Sequence, residues 1–124
     1  MKVILSIKPH FAEKIFNGSK KFEFRRTIFR NPSVKRVIVY ASAPISKIVG
    51  EFEIEEILHN ELDSLWGSTK CCSGITEDYF FNYFNGKDYG FALKIKRAKK
   101  YKNSYSIKER FGLFPPQSFA YVRE

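Results

Sequence analysis

Gly18-Ser19-Lys20-Lys21-Phe22-Glu23-Phe24-Arg25 is the stretch on which the fold of this chain turns. Gly18 can take a positive φ without steric cost, so it can lead the chain out of a preceding helix. From Lys21 onward the apolar period is two: Phe22 and Phe24 face one way, Glu23 and Arg25 the other. The phenylalanines therefore belong to a core, and Lys20 stands at the mouth of a strand whose polar face carries a carboxylate and a guanidinium. Such a trio can hold an anionic or heteroaromatic ligand. Arg25 can grip a phosphate or a base edge with two parallel hydrogen bonds. Glu23 can accept from an exocyclic amine, orient Arg25 or act as a general base, and Lys20 can contact phosphate or, once desolvated, move a proton. The same spacing also describes a structural Glu23–Arg25 pair beside a solvated Lys20, and spacing does not separate the two.

Upstream, residues 1–8 read as a strand ended by Pro9, which suits a first helical position because its missing N–H would be unpaired there anyway. Phe11 and Ile15, with Ala12 and Phe16 beside them, make one apolar stripe on a short helix that Gly18 stops. Downstream, Asn31-Pro32-Ser33 marks a turn, and Arg36-Val37-Ile38-Val39-Tyr40-Ala41 is apolar enough for a strand buried on both faces. Residues 47–58 alternate Ile48, Phe52 and Ile54 with glutamates. Residues 60–86 read as helical and irregular, with Thr76 as an N-cap ahead of Glu77 and Asp78. Tyr79, Phe80, Tyr83 and Phe84 read as a core-facing helical stripe. Strand alternation returns over 89–96, a helical turn or two over 106–111, and a last strand over 117–123. The expected class is α+β: a mixed, mostly antiparallel sheet closed as a barrel, with short peripheral helices, in one domain over residues 1–124.

The chain has 124 residues, 44% of them hydrophobic and 17% aromatic, which excludes a disordered chain and leaves no room for a second domain. Val3-Ile4-Leu5 is broken by Ser6 and Lys8, so it is neither a signal-peptide core nor a membrane span, and no membrane partner is expected. Cys71 and Cys72 are adjacent and cannot staple a secreted fold, which points to free thiols in a reducing cytoplasm. Net charge is +9. Residues 1–36 hold ten basic side chains against Glu13 and Glu23, residues 94–110 hold eight against Glu109, and residues 51–63 hold six carboxylates and no cation. Two basic blocks around an acidic one suggest a polarised surface, and nucleic acid is the commonest partner for one; a solvated face kept only for solubility has the same composition.

No zinc pattern, phosphate loop, dinucleotide fingerprint or nucleophile elbow is present, and no cofactor or metal is expected. Weaker candidates for a ligand site are Lys8 and Arg26, then Tyr40 and Ser42, which share one strand face, Trp66 as a stacking ring, and Lys99, Lys100 and Lys102 as phosphate contacts in a loop. Core packing explains Trp66 equally well, and solvation explains the lysines.

Gly18-x-Lys20-x-x-Glu23-x-Arg25, placed between a short helix and a strand, resembles the signature of the ASCH domain, a relative of the PUA domains of RNA-modifying enzymes. Ser6-Ile7-Lys8-Pro9, Tyr40-Ala41-Ser42-x-Pro44, Gly50-Glu51-Phe52 and Pro116-Gln117-Ser118-Phe119 agree in kind, so the resemblance runs over nearly the whole chain. It implies a β-barrel with a cleft lined by the motif residues, with Gln117 and Ser118 reaching it. It also implies RNA, or a nucleotide-like small molecule, as ligand. One bacterial group with this signature is similar to an amidohydrolase acting on N4-acetylcytidine, but its threonine falls where this chain has Glu23, and a carboxylate cannot stand in for that hydroxyl. Another group is described as a ribonuclease. The leading expectation is a stand-alone nucleic-acid-binding module; the alternative is a small hydrolase acting on RNA or a modified nucleoside, with Lys20 and Glu23 in proton transfer. Oligomeric state is not readable from the sequence.

Overall fold

In the computed structural model, which describes residues 1–123, six strands form one sheet. They are β1 (Lys2–Ile7), β2 (Phe22–Arg25), β3 (Arg36–Ala41), β4 (Lys47–Glu61), β5 (Tyr89–Tyr105) and β6 (Phe119–Val122). The order across the sheet is β2-β5-β4-β3-β1-β6, with β1 and β3 parallel and every other pair antiparallel. Among the described residues four α-helices, α1 (Pro9–Phe16), α2 (Leu62–Thr69), α3 (Glu77–Tyr83) and α4 (Ile107–Phe111), and one 3-10 turn at Lys70–Cys72 complete the fold. None of them is long and apolar enough to cross a membrane.

The sheet is open, which corrects the expected barrel. β2 pairs only with β5 and β6 only with β1, so among the described residues no backbone ladder joins the two edge strands. Period-two alternation reports that a strand has two unlike faces; it says nothing about closure. The faces here are covered by helices. One face of β1 and β3 (Val3, Leu5, Val37, Val39) packs on Ala12 and Ile15 of α1, and the other (Ile4, Ile38, Tyr40) on Ile107 of α4. That double burial is why both strands are apolar almost throughout. A third cluster joins Phe22, Phe24 and Ala92 at the β2 edge to Leu65 of α2 and to Phe80 and Phe84 in and just after α3.

β5 is longer than its apolar alternation suggests. It continues to Tyr105 and pairs with β4 along its length, through register shifts near Ile48/Gly50, Glu53/Ile54 and Ile54/Glu56. Lys99, Lys100 and Lys102 therefore lie on a strand and not in a loop. The acidic block of β4 is threaded between cationic strands. Arg36 on β3 bonds Glu51 and Glu53, and Lys94 and Lys96 on β5 bond Glu55 and Glu53. Charges that form separate blocks along the chain are in this part interleaved across the sheet, so the expected division into poles does not hold there.

A candidate active-site cleft at the glycine-to-arginine motif

The motif forms because α1 ends where it should. Gly18 takes φ +86°, and the backbone N–H of Lys20 returns to the carbonyl of Lys14 before β2 begins. Lys20 is thereby turned inward, and it is 2% exposed. Its ammonium donates to the carbonyl of Ser73 at 2.8 Å and lies 5.0 Å and 4.9 Å from the ring centres of Phe11 and Phe24. Burial pushes its pKa down to about 8, against the raising effect of the nearby Glu23 carboxylate and helped by the charge of Lys14.

Residues 72–75 form the clamp on this lysine. The Lys21 amide donates to the carbonyl of Cys72, the Lys14 ammonium to that of Gly74, and Ser73 Oγ closes the loop onto Ile75. Gly74 sits at φ +71°, and a β-carbon there would lie 2.6 Å from Lys20 Cβ.

Glu23 and Arg25 are paired at 3.2 Å and nearly buried. Arg25 does more than hold Glu23. From the end of one edge strand it donates to the carbonyl of Ser6 on β1 (3.2 Å) and to the carbonyl and hydroxyl of Ser118 just ahead of β6 (3.0 and 3.2 Å). With its terminal nitrogens committed to these acceptors, Arg25 organises the floor of the cleft and is not a free fork for a phosphate or base edge.

These groups open on a cavity of about 210 Å³. Lys8, Lys20, Glu23 and Arg25 line it, as do Ser6 and Gln117. Phe11, Phe24, Tyr79 and Tyr83 supply its aromatic walls. The two tyrosine rings are near parallel, 11° apart with centres at 6.5 Å, and Lys8 Nζ lies 5.6 Å from the Tyr79 ring centre. Tyr83 donates to the carbonyl of Phe24, which pins α3 to the motif strand, and burial raises its hydroxyl pKa.

The other sequence candidates lie elsewhere. Arg26 donates to the carbonyls of Tyr83 and Asn85 and so anchors the end of α3. Tyr40 is 5% exposed in the α4-side core, which explains it as packing. Ser42 Oγ is 3.5 Å from the carbonyl of Ile7, outside the lining. Trp66 packs on Phe80 and donates to Glu77. Lys99, Lys100 and Lys102 are exposed on β5, away from the cavity lining. Tyr79 and Tyr83, which the sequence assigns to the core, also line the cleft, Tyr83 while packing against the α3-side core. Among the described residues no group of three or more His, Cys, Asp or Glu is arranged to hold a metal ion.

No family model matches the chain. The large ribosomal subunit protein uL22 of Ureaplasma parvum serovar 3 is 32% identical over 122 residues, 98% of this chain, and the chain spans 39% of that protein's length. An ASCH domain-containing ribonuclease of Zymomonas mobilis is 29% identical over 126 residues, covering 99% of this chain and 85% of that protein. The crystal structure of the ASCH protein from Zymomonas mobilis superposes with a TM-score of 0.90 at 27% identity, over 99% of this chain and 88% of that one. Likeness in sequence and in backbone to the Zymomonas mobilis proteins runs over almost every residue, and with the Gly18-to-Arg25 signature set into the cleft, the chain matches ASCH-domain proteins.

Proposed function

We propose that the chain is an RNA-cleaving enzyme whose general acid is Lys20 and whose general base is Glu23. Likeness to ASCH-domain proteins supports a nucleic-acid-binding module, and the similarity to a protein named as a ribonuclease supports cleavage over binding alone. The observation that carries the reading is a lysine buried to 2% exposure and held to a pKa of about 8, beside a paired carboxylate, in the floor of a cavity with aromatic walls.

The chemistry follows from those groups. The 2′-hydroxyl beside a scissile phosphate gives its proton to Glu23 and attacks phosphorus. The departing 5′-oxygen takes a proton from the Lys20 ammonium, leaving a 2′,3′-cyclic phosphate and a 5′-hydroxyl. An acid whose pKa lies close to working pH is both mostly protonated and willing to donate. Arg25 orients Glu23, while the Tyr79 and Tyr83 rings hold a base by stacking.

The test is cleavage of a labelled single-stranded RNA by wild type and by Lys20→Met, with product ends analysed. Cyclic-phosphate ends formed by wild type and lost in the folded variant are expected. Equal cleavage by the variant, or equal cleavage of the DNA counterpart, which has no 2′-hydroxyl, overturns the reading.

A second reading is a cleft that binds without turnover. The hydrogen bond from Lys20 to the Ser73 carbonyl favours it, because one of the three ammonium protons is already committed. Tight binding of RNA with no product formation separates it from the first.

A further inference from the structure

We propose that a second groove, between the end of β5, α4 and the end of β6, holds the phosphate backbone of the RNA strand whose base enters the cleft. It rests on the reading that this chain acts on RNA. The groove is open and has a volume of about 640 Å³. Three cations from distant parts of the chain converge on it: Lys47 at the start of β4, Arg110 on α4 and Arg123 just after β6. Four cations on β2, β3 and β5 are matched to carboxylates: Arg25 to Glu23, Arg36 to Glu51 and Glu53, Lys94 to Glu55 and Lys96 to Glu53. Lys47, Arg110 and Arg123 make no ion pair with a described residue, although the Glu109 carboxylate also lines the groove. Charge neutralisation within the fold therefore does not account for these three.

The groove is also shaped for a nucleic-acid strand. The Arg110 guanidinium lies 5.0 Å from the ring centre of Tyr105, so its plane is backed by an aromatic face. Ser104 and Tyr105 add hydroxyl donors. Position ties the groove to the cleft. Phe111 lines one and Gln117 the other, so the connecting backbone keeps the two sites within about 20 Å. Midway along that connection Phe114 is 82% exposed, with Lys108 Nζ 6.0 Å from its ring centre. An aromatic ring left in water between a base-sized cleft and a cationic groove suits a strand passing from one to the other.

The experiment uses uncleavable 2′-O-methyl RNA, a trinucleotide and a dodecamer, with binding followed by anisotropy between about 50 and 200 mM salt. Wild type is compared with the triple variant Lys47→Ala, Arg110→Ala, Arg123→Ala and with the milder Arg123→Gln. On the dodecamer the slope of log K against log salt should become shallower by about 2 in the triple variant and by about 0.7 in the single one, since each single-strand phosphate contact contributes about that much. Trinucleotide binding should not change. Dodecamer binding equal to wild type in both variants overturns the groove and leaves the cleft reading standing. Equal losses on both lengths overturn it as well, since they mean a change in the whole fold. Absence of RNA binding by wild type overturns both readings. Binding of phosphatidylserine vesicles that depends on the three cations, with the RNA slopes unchanged, assigns the groove to a lipid surface and overturns the proposal.

Discussion

Gly74 lies so close over Lys20 that a β-carbon on the glycine would stand 2.6 Å from Lys20 Cβ and 2.7 Å from its Cγ. The backbone of the 72–75 loop thus forms the roof of the lysine's channel, and the ammonium beyond it donates to Ser73. Gly86 supplies the matched control, because it has φ +86° and nothing within 4 Å of an added β-carbon. Both Gly→Ala substitutions incur the cost of a left-handed residue, about 1–2 kcal/mol. Gly86→Ala should therefore lower the melting temperature and leave RNA cleavage alone. Gly74→Ala should lower both, with kcat falling more than KM rises, because the shift displaces the proton donor. Equal kinetics in the two variants would show that the roof does not position Lys20.

The pKa of Lys20 predicts two pH profiles of opposite sign. As a general acid it must be protonated, so kcat should fall as pH rises through about 8. Stability should move the other way. Between about 8 and the ordinary 10.5 the unfolded lysine holds a proton that the folded one has lost. The unfolded state therefore binds more protons there, and stability rises with pH across that window. Denaturant titrations of wild type and Lys20→Met across this range provide the check: the rise should be present in the first and missing in the second. A kcat that climbs through pH 8 would make Lys20 the base instead.

How far the sequence discloses this site depends on how local each contact is. Gly18, Lys20, Glu23 and Arg25 are readable because a helix stop and a period-two strand follow from neighbours a few residues away. Tyr79 and Tyr83 are not. They share a helical stripe with Phe80 and Phe84, and the pairs 79/83 and 80/84 point to adjacent faces of α3. Which pair meets the core and which the cleft is decided by where β2 docks, a tertiary contact sealed by Tyr83 and the Phe24 carbonyl. Lys99 to Ser104 are misread for a different reason. That half of β5 is exposed, so it has no apolar alternation to reveal a strand, and only pairing with β4 shows it. The open sheet was hidden because closure depends on the edges, and the two edges are bridged by the side chain of Arg25.

That bridge predicts a strongly non-additive pair of substitutions. Arg25→Ala leaves Glu23 as a buried carboxylate without its cation and removes donors from the Ser6 and Ser118 carbonyls. Removing one partner of a buried pair costs about 3–5 kcal/mol. Adding Glu23→Gln to it removes the stranded charge and should recover part of that loss, giving a coupling energy of order 1 kcal/mol or more in a double-mutant cycle measured by denaturant unfolding. Simple additivity would mean that the pair contributes through its separate contacts only. RNA cleavage should be lost in all three variants of the cycle, because Glu23 is either removed or misoriented.

The aromatic wall offers the remaining test, and it separates stacking from hydrogen bonding. Tyr79 is half-buried, lies edge-on to Phe11 at 5.3 Å and has Lys8 over its ring. No described partner holds its hydroxyl, whereas that of Tyr83 is committed to Phe24. If Tyr79 holds a base by its face, Tyr79→Phe should bind RNA as wild type does. Tyr79→Ala should then lose about 1–3 kcal/mol of binding. A loss of that size is roughly a five- to 150-fold rise in Kd, readable by anisotropy with an uncleavable oligonucleotide. Tyr83→Phe should instead lower the melting temperature, since it releases α3 from the Phe24 carbonyl. Should Tyr79→Phe lose as much binding as Tyr79→Ala, the hydroxyl and not the ring face would be the recognition element, and the base would enter edge-first toward Glu23.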